Sequence, residues 1–342
     1  MFDQLLAEIE SDQNISDIVM SSGSFLAVRK NGQIIITSKS IDQSTIDAIL
    51  QEIEKQSWSV LTGNKEVDCT YQSTWWYRYR INSFLKQWVR ALAIRKISNR
   101  SFELDELMIT PLATTIKQKI LSAPWWLFLV TWVAWSGKST TLTACLNFIN
   151  EHLPKHIITI EDPIEFVYQS KKSIFSQRQV EHDTIDFTSG LKSLLRQNPD
   201  IVLVGEIRDR ESAEAVLTIA ETWHLILSTL HTKSAINTVS RFISLFPVAQ
   251  QDSVRDRFAD VFLWSLAQQL IPLPANIHHK EYTSKIAWNA FGRIGLYELL
   301  LNTTAVSNSI RKGDFKQIPS CIQTWRGDGM ITMEEYYGLL TN

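Results

Sequence analysis

The order of apolar and polar positions gives the first hundred residues short, alternating helical and strand patterns. Phe2, Leu5, Leu6 and Ile9 share one helical face before Asn14 to Asp17 interrupts them. SFLAVRKNGQIIITS sets two strand-like runs about Asn31-Gly32, a favoured two-residue hairpin turn. Ser44 to Lys55 predicts a helix with Ser44 as N-cap, and Tyr77 to Phe84 and Val89 to Ile97 predict strands. Arg78, Arg80, Arg90 and Arg95 alternate on those strands, which by pattern alone describes a solvated face. Ser98 to Ile109 is polar and acidic without strong periodicity, and it reads as a linker ending before Pro111.

From Leu112 onward helices and strands alternate. The runs LFLVT, HIITI, SIFSQ, DIVLVG and LILSTL are mostly apolar throughout, as strands of a parallel sheet covered on both faces should be. After Phe246-Pro247 the pattern turns mostly helical, with a loop about Pro272 to Ser284, a strand near Gly292 to Leu300 and a closing helix near Thr332 to Leu340. The expected fold class is therefore α/β. A smaller α+β domain over residues 1–97 and a linker over 98–110 precede a larger α/β domain over 111–342, mostly helical from about 247.

Composition narrows the function classes. With 44% hydrophobic and 20% charged residues the chain is an ordinary globular one, and a net charge of -2 gives no global reason to bind nucleic acid or an anionic membrane. Cys69, Cys145 and Cys321 lie far apart and suggest neither a zinc site nor a disulfide framework, which fits a reducing cytoplasm. No secretory pattern opens the chain, and the longest apolar run, Ala123 to Trp135, falls short of the roughly 20 residues of a spanning helix. No direct membrane insertion is expected. One count is anomalous: the chain has 12 Trp and only 12 Gly, where typical usage predicts about 24 glycines in such a length.

The chemistry gathers at strand ends. LFLVTWVAWSGKSTTL runs from an apolar strand into a helix, and Gly137, Lys138 and Ser139 match the end of the phosphate-loop pattern G-x-x-x-x-G-K-[ST]. In that motif backbone N–H groups close on the phosphates, the lysine reaches the β- and γ-phosphates and the hydroxyl ligates Mg²⁺. Ser136, Gly137, Lys138, Ser139, Thr140 and Thr141 are accordingly the candidate ATP-binding residues, with Ser139 the candidate Mg²⁺ ligand. Trp132, however, occupies the first glycine position, and Trp135 stands in the same loop. IITIEDPIEFV places Glu161, Asp162 and Glu165 at a second strand end, where they hold Mg²⁺ through water, orient a water, or merely cap a helix. DIVLVGEIRDRE ends in Gly205-Glu206, and Glu206 is the candidate for activating water. HLILSTLHT is bracketed by His224 and His231; His231 is either an edge histidine or a γ-phosphate sensor.

These blocks, in this order, resemble the secretion ATPases of the type II and type IV pilus superfamily, and most closely the pilus retraction ATPases. The resemblance rests on the phosphate loop at 132 to 140, TIEDPIE at 159 to 165, NPDIVLVGEIRD at 198 to 209, ETWHLILSTLHT at 221 to 232 and SNSIRKGDFKQIPSCIQT at 307 to 324. The paired-cysteine zinc module of the type II secretion ATPases is absent from the sequence. The resemblance implies a PAS-like N-terminal domain, a RecA-like ATPase domain, a homohexameric ring and an inner-membrane pilus platform protein as partner. It implies ATP and Mg²⁺ as cofactors, catalytic roles for Glu206, Glu161, Glu165 and His231, and Asp162 as a water-mediated metal ligand. It also reassigns Arg80 and Arg95 as arginines that approach the phosphates from the N-terminal domain. A pilus-extension or secretion ATPase of the same superfamily is the alternative.

Where relatives carry glycine this chain has Trp132, Trp135, Trp223 and Trp325, and by a looser match Trp126, Trp76, Trp88 and Trp264. Two explanations follow. UGA codons that the cell reads as glycine become tryptophan in a standard translation, and the working protein is then an ordinary ATPase. Alternatively the tryptophans are genuine and the chain is a non-hydrolysing ring subunit. Retention of Lys138, Glu206, both histidines and the arginines favours the first. Neither explanation accounts for Trp58 and Trp288, whose neighbourhoods do not align with the family.

Overall fold

The computed structural model describes residues 2–10, 15–30, 33–55, 66–74, 78–97, 102–122, 126–133, 136–272, 293–315, 322–326 and 329–330. The chain divides into two compact units, one of Met1–Arg100 with Glu165–Val167 and the other of Ser101–Ile164 with Tyr168–Asn342.

In the smaller unit, α1 (Phe2–Glu10) and α2 (Gln43–Glu54) accompany six strands: β1 (Ile15–Ser21), β2 (Ser24–Lys30), β3 (Gln33–Ile41), β4 (Glu66–Gln72), β5 (Arg78–Lys86) and β6 (Val89–Ile97). The sheet order is β3-β2-β1-β6-β5-β4, and every pairing is antiparallel. Phe2, Leu6, Ile46, Ile49 and Ile53 meet Tyr79, Ile81, Leu92 and Ile94 in one core. Alternation therefore turns Arg80 to the opposite face from Tyr79 and Ile81. The expected hairpin joins β2 and β3 in register, Lys30 opposite Gln33, while its Asn31-Gly32 turn lies outside the described residues. The N-cap of α2 is Asp42 rather than Ser44: its carboxylate accepts from Thr45 N, and Ser44 donates its hydroxyl to the same oxygen.

The β5–β6 hairpin bears on the tryptophan anomaly. Its two turn residues, Gln87 and Trp88, both have positive φ, 48° and 71°, the requirement of the turn that follows the twist of two strands and favours glycine at its second place. Trp88 is 97% exposed, so its indole contributes no burial to offset the strain. Trp88→Gly is expected to stabilise the protein by about 1 kcal/mol. The check is thermal unfolding; a lower midpoint in the glycine protein would contradict the strain.

The larger unit opens with α3 (Leu104–Leu107) and α4 (Thr110–Ser122). The segment 98–110 is thus not a free linker: Phe102, Leu104, Leu107 and Met108 are buried, and Tyr297 donates its hydroxyl to Leu107 O. A single helical turn is too short to show periodicity. Its acidic residues form a capping box, Glu103 with Glu106, which explains the polar appearance of the stretch. The elements that follow are β7 (Trp126–Thr131), α5 (Lys138–His152), β8 (His156–Glu161), β9 (Ile174–Gln179), α6 (Phe187–Leu194), β10 (Ile201–Val204), α7 (Arg210–Glu221), β11 (Leu225–Leu230), α8 (Ala235–Ser244) and α9 (Val248–Val261). Last come β12 (Phe262–Pro272), β13 (Arg293–Leu301), α10 (Thr304–Lys312), β14 (Ile322–Arg326) and β15 (Gly329–Met330).

Phe262–Pro272, expected to continue a mostly helical C-terminal part, is instead a strand. It pairs parallel with β7 and antiparallel with β13, so burial between two strands overrides its helical appearance. The predicted loop from Pro272 to Ser284 and the closing helix near Thr332 lie almost wholly outside the described residues. The complete order is β15-β14-β13-β12-β7-β11-β10-β8-β9, parallel from β12 to β9. Alternating residues of β7 serve two cores: Leu127 and Leu129 on one face, Phe128 and Val130 on the other. Leu142, Cys145, Leu146 and Ile149 of α5 are all buried, as their spacing predicts. Among the described residues no helix is long and apolar enough to cross a membrane, which leaves β-barrels unaddressed.

Candidate functional site

Parallel registry decides which chain segments meet. Val204 lies beside Ile160 and Ser228, and Leu230 beside Thr131, so β7, β8, β10 and β11 finish along one sheet edge. The chain leaving each strand carries one sequence block: the phosphate loop after β7, the acidic block at the end of β8, Glu206 after β10 and His231 after β11. Such an edge is where ligands bind in α/β folds.

Gly137 caps α5 in the left-handed conformation, φ 84°, which glycine adopts without steric conflict. Lys138 begins the helix, is nearly buried, and donates from Nζ to the carbonyls of Trp132 and Val133, both at 2.9 Å. The lysine thus closes the loop onto itself, while Ser139 is exposed at the start of α5, where a hydroxyl can meet a metal held on phosphates. The Ser136 hydroxyl oxygen is buried with no hydrogen-bond partner among the described residues. Thr141 departs from its expected place among the ATP-binding residues. It is fully buried, its N–H donates to Gly137 O and its hydroxyl donates to Gln268 Oε1 at 2.5 Å, so neither group is left for a phosphate.

Glu206 is held by backbone on both sides, through Gly205 N to Ile160 O at 2.9 Å and Ile207 N to Thr229 O at 3.0 Å. Its Oε1 pairs with Arg208 and its Oε2 faces His231 Nε2 at 3.2 Å. Burial pushes the Glu206 carboxyl up, but the Arg208 ion pair, with His231 assisting, outweighs burial and holds it below the usual range. The same bond to Glu206 raises the Arg208 guanidinium further. Arg208 also reaches Asp162 at 3.7 Å, so one guanidinium joins the β8 and β10 blocks. Nothing but its position in GEIRD marked Arg208 in the sequence.

Glu161 is nearly buried and accepts from Thr159 Oγ1 at 2.6 Å and Gln177 Nε2 at 3.4 Å. Glu165 falls with the smaller unit, apart from the strand that carries Glu161. His224, the other flagged histidine, faces Ile219 O and Thr222 Oγ1 at the end of α7, a local structural place. The loop after β11 is tied to the end of β7: Thr232 N donates to Thr131 Oγ1 at 3.1 Å, and Thr131 Oγ1 donates to Leu230 O at 2.9 Å. Arg80 and Arg95 stand directly opposite on β5 and β6 of the smaller unit. Like charges so placed repel, and each is paired with a carboxylate, Arg80 with Asp68 at 3.2 Å and Arg95 with Asp17 at 2.7 Å.

The backbone also tests the tryptophans. Trp88, Trp126, Trp132 and Trp223 have φ of 71°, 159°, 153° and 72°, four of the seven non-glycine residues with positive φ among those described. The 159° of Trp126 is close to extended and weighs least. Trp223 follows the C-cap of α7, the place where a helix most often ends on glycine. Trp264 differs: its φ is not positive, and its indole stacks on Phe128 in the core, although its N–H is buried without a partner among the described residues. Trp135 and Trp76 lie outside the described residues, and Trp325 is described in backbone only.

Among the described residues no group of three or more His, Cys, Asp or Glu side chains could alone hold a metal ion. An Mg²⁺ held by one hydroxyl, waters and nucleotide phosphates needs no such cage, and the exposed Ser139 fits that mode.

Comparison with known proteins agrees with these blocks. The type II/IV secretion system protein family matches residues 67–332. A twitching motility protein of Neisseria gonorrhoeae is 40% identical over 272 residues, 80% of this chain and 68% of the relative. The type IV pilus retraction ATPase PilT of Pseudomonas aeruginosa is 34% identical over 97% of this chain and 91% of its own length. Among solved structures, the pilus retraction motor PilT with bound ADP superposes with a TM-score of 0.82 at 30% identity, covering 98% of this chain and 96% of that one. With a strand-edge site of this composition and relatives of this extent, the chain belongs to the type II/IV secretion system protein family.

Proposed function

We propose that the chain is a motor ATPase that hydrolyses ATP to power retraction of a type IV pilus. It works as a cytoplasmic homohexamer against an inner-membrane platform protein. The observation that carries this reading is Glu206, a charged, half-buried carboxylate fixed between Arg208 and His231 on the sheet edge that also presents Lys138. Relatives named for twitching and retraction, which cover 80% and 97% of the chain, support its direction.

In this reading Lys138 exchanges its two carbonyl partners for the β- and γ-phosphates, and the Gly137–Ser139 amides turn to the same anion. When bound, Mg²⁺ would neutralise charge at the phosphates, and Ser139 and Asp162 are the residues that would hold it. Glu206 orients the attacking water, Glu161 and Glu165 assist at the acidic block, and His231 reports the γ-phosphate to Glu206. Arg80 and Arg95 complete the site in the assembled ring. Their ion pairs are exposed and worth at most about 1 kcal/mol, so a phosphate can displace the carboxylates. The residue that works at positions 88, 132, 135 and 223 is glycine.

Deleting the gene tests the direction of work. Loss of a retraction motor leaves long pili that do not retract. Loss of pili altogether would instead assign the extension role.

A further inference from the structure

Gln268 is a fully buried carboxamide on β12, the strand beside the one that feeds the phosphate loop. Its neighbour Ala267 is in register with Thr131, the last residue of β7, so Gln268 stands level with the point where the loop departs. Both ends of the carboxamide are engaged. Nε2 donates to Ser136 O at 2.8 Å, and Oε1 accepts from Thr141 Oγ1 at 2.5 Å. One side chain therefore grips the loop just before Gly137 and the first turn of α5 just after Lys138 and Ser139.

The consequence follows from peptide geometry. The Ser136 carbonyl and the Gly137 N–H belong to one planar trans peptide and point in opposite directions. Holding that carbonyl on Gln268 turns the Gly137 N–H away from the sheet interior, the orientation in which it can meet an anion at the start of α5. Thr141, held by the same carboxamide, keeps its hydroxyl out of the loop. We propose that Gln268 is a positioning residue for nucleotide binding, fixing the Ser136–Gly137 peptide of the phosphate loop from the neighbouring strand. The proposal rests on the reading of 136–139 as that loop. It also gives β12 and β13, where Gln268 pairs with Tyr297, a direct mechanical link to nucleotide occupancy.

The test uses the full-length protein with glycine at 132 and 135 as parent. Gln268→Met keeps the volume and removes both bonds; ADP affinity is expected to fall about tenfold, with a similar rise in KM for ATP and little change in kcat. Gln268→Glu retains an acceptor but donates to Ser136 O only when protonated. Its affinity relative to the parent should therefore be poor near about pH 9 and recover near about pH 6, a recovery that a role in packing alone would not produce. Thr141→Val, which removes one bond and leaves Gln268 in place, should show a smaller loss in the same sense. Unchanged ADP affinity in Gln268→Met, or no recovery in Gln268→Glu, overturns the proposal. If the parent itself fails to bind ADP, the loop reading falls and this proposal with it; a binding parent with an unaffected Gln268→Met sinks this proposal alone.

Discussion

Replacing Trp132 and Trp135 with glycine is expected to raise the affinity of the chain for ADP. Trp132 has φ 153° and sits nearly buried at the start of the loop, its carbonyl gripped by Lys138. A side chain at positive φ costs about 1 to 2 kcal/mol, strain that glycine at position 132 would relieve. Relief of about 1 to 2 kcal/mol corresponds to about a five- to thirtyfold gain in affinity, read by titration calorimetry with ADP. The same idea predicts UGA at these codons and glycine masses in peptides of the protein isolated from its own cells. UGG at positions 88, 132 and 223 would remove the idea and leave a strained, non-hydrolysing ring subunit in its place.

The second large effect is on chemistry. In the glycine protein, Glu206→Gln should keep nucleotide binding and lose at least about a hundredfold in kcat, because an amide cannot take a proton from the attacking water. Normal turnover in that variant would show that Glu206 is not the water-activating residue. The pH profile adds a signed check. Arg208 and His231 hold the Glu206 carboxyl below its ordinary range against burial, so activity dependent on the ionised form should be lost only as pH falls through that depressed value. Arg208→Ala leaves burial opposed by His231 alone, and the acid limb of kcat/KM should move toward neutral pH.

Several parts of the site were legible because their signals are local. Gly137-Lys138-Ser139 matches a motif of consecutive residues, and the run from Ile201 to Val204 before Glu206 has no polar side chain to make it anything but buried strand. The registers of β7, β8, β10 and β11 then bring those blocks to one edge. Other parts had no local signature. One helical turn at Leu104–Leu107 is too short for periodicity and passed for linker. Phe262–Pro272 reads as helix until β7 and β13 flank it, and with that strand Gln268 was missed. Thr141 looked like part of the nucleotide site because it follows the motif, whereas its side chain turns to Gln268.

What the sequence by itself determined was which residue types stand at which strand ends, and that 12 Trp accompany only 12 Gly. Backbone phosphate binding and buried parallel strands both constrain neighbouring residues, so a one-dimensional pattern suffices for them. What only the tertiary structure decided was partnership. Arg208 reaching Asp162, Gln268 holding Ser136 and Thr141, and Thr131 tied to Thr232 join residues far apart in the chain. Strand order selects these pairs, and no local spacing encodes strand order. The tertiary structure also supplied positive φ at Trp88 and Trp223, a backbone conformation that favours glycine.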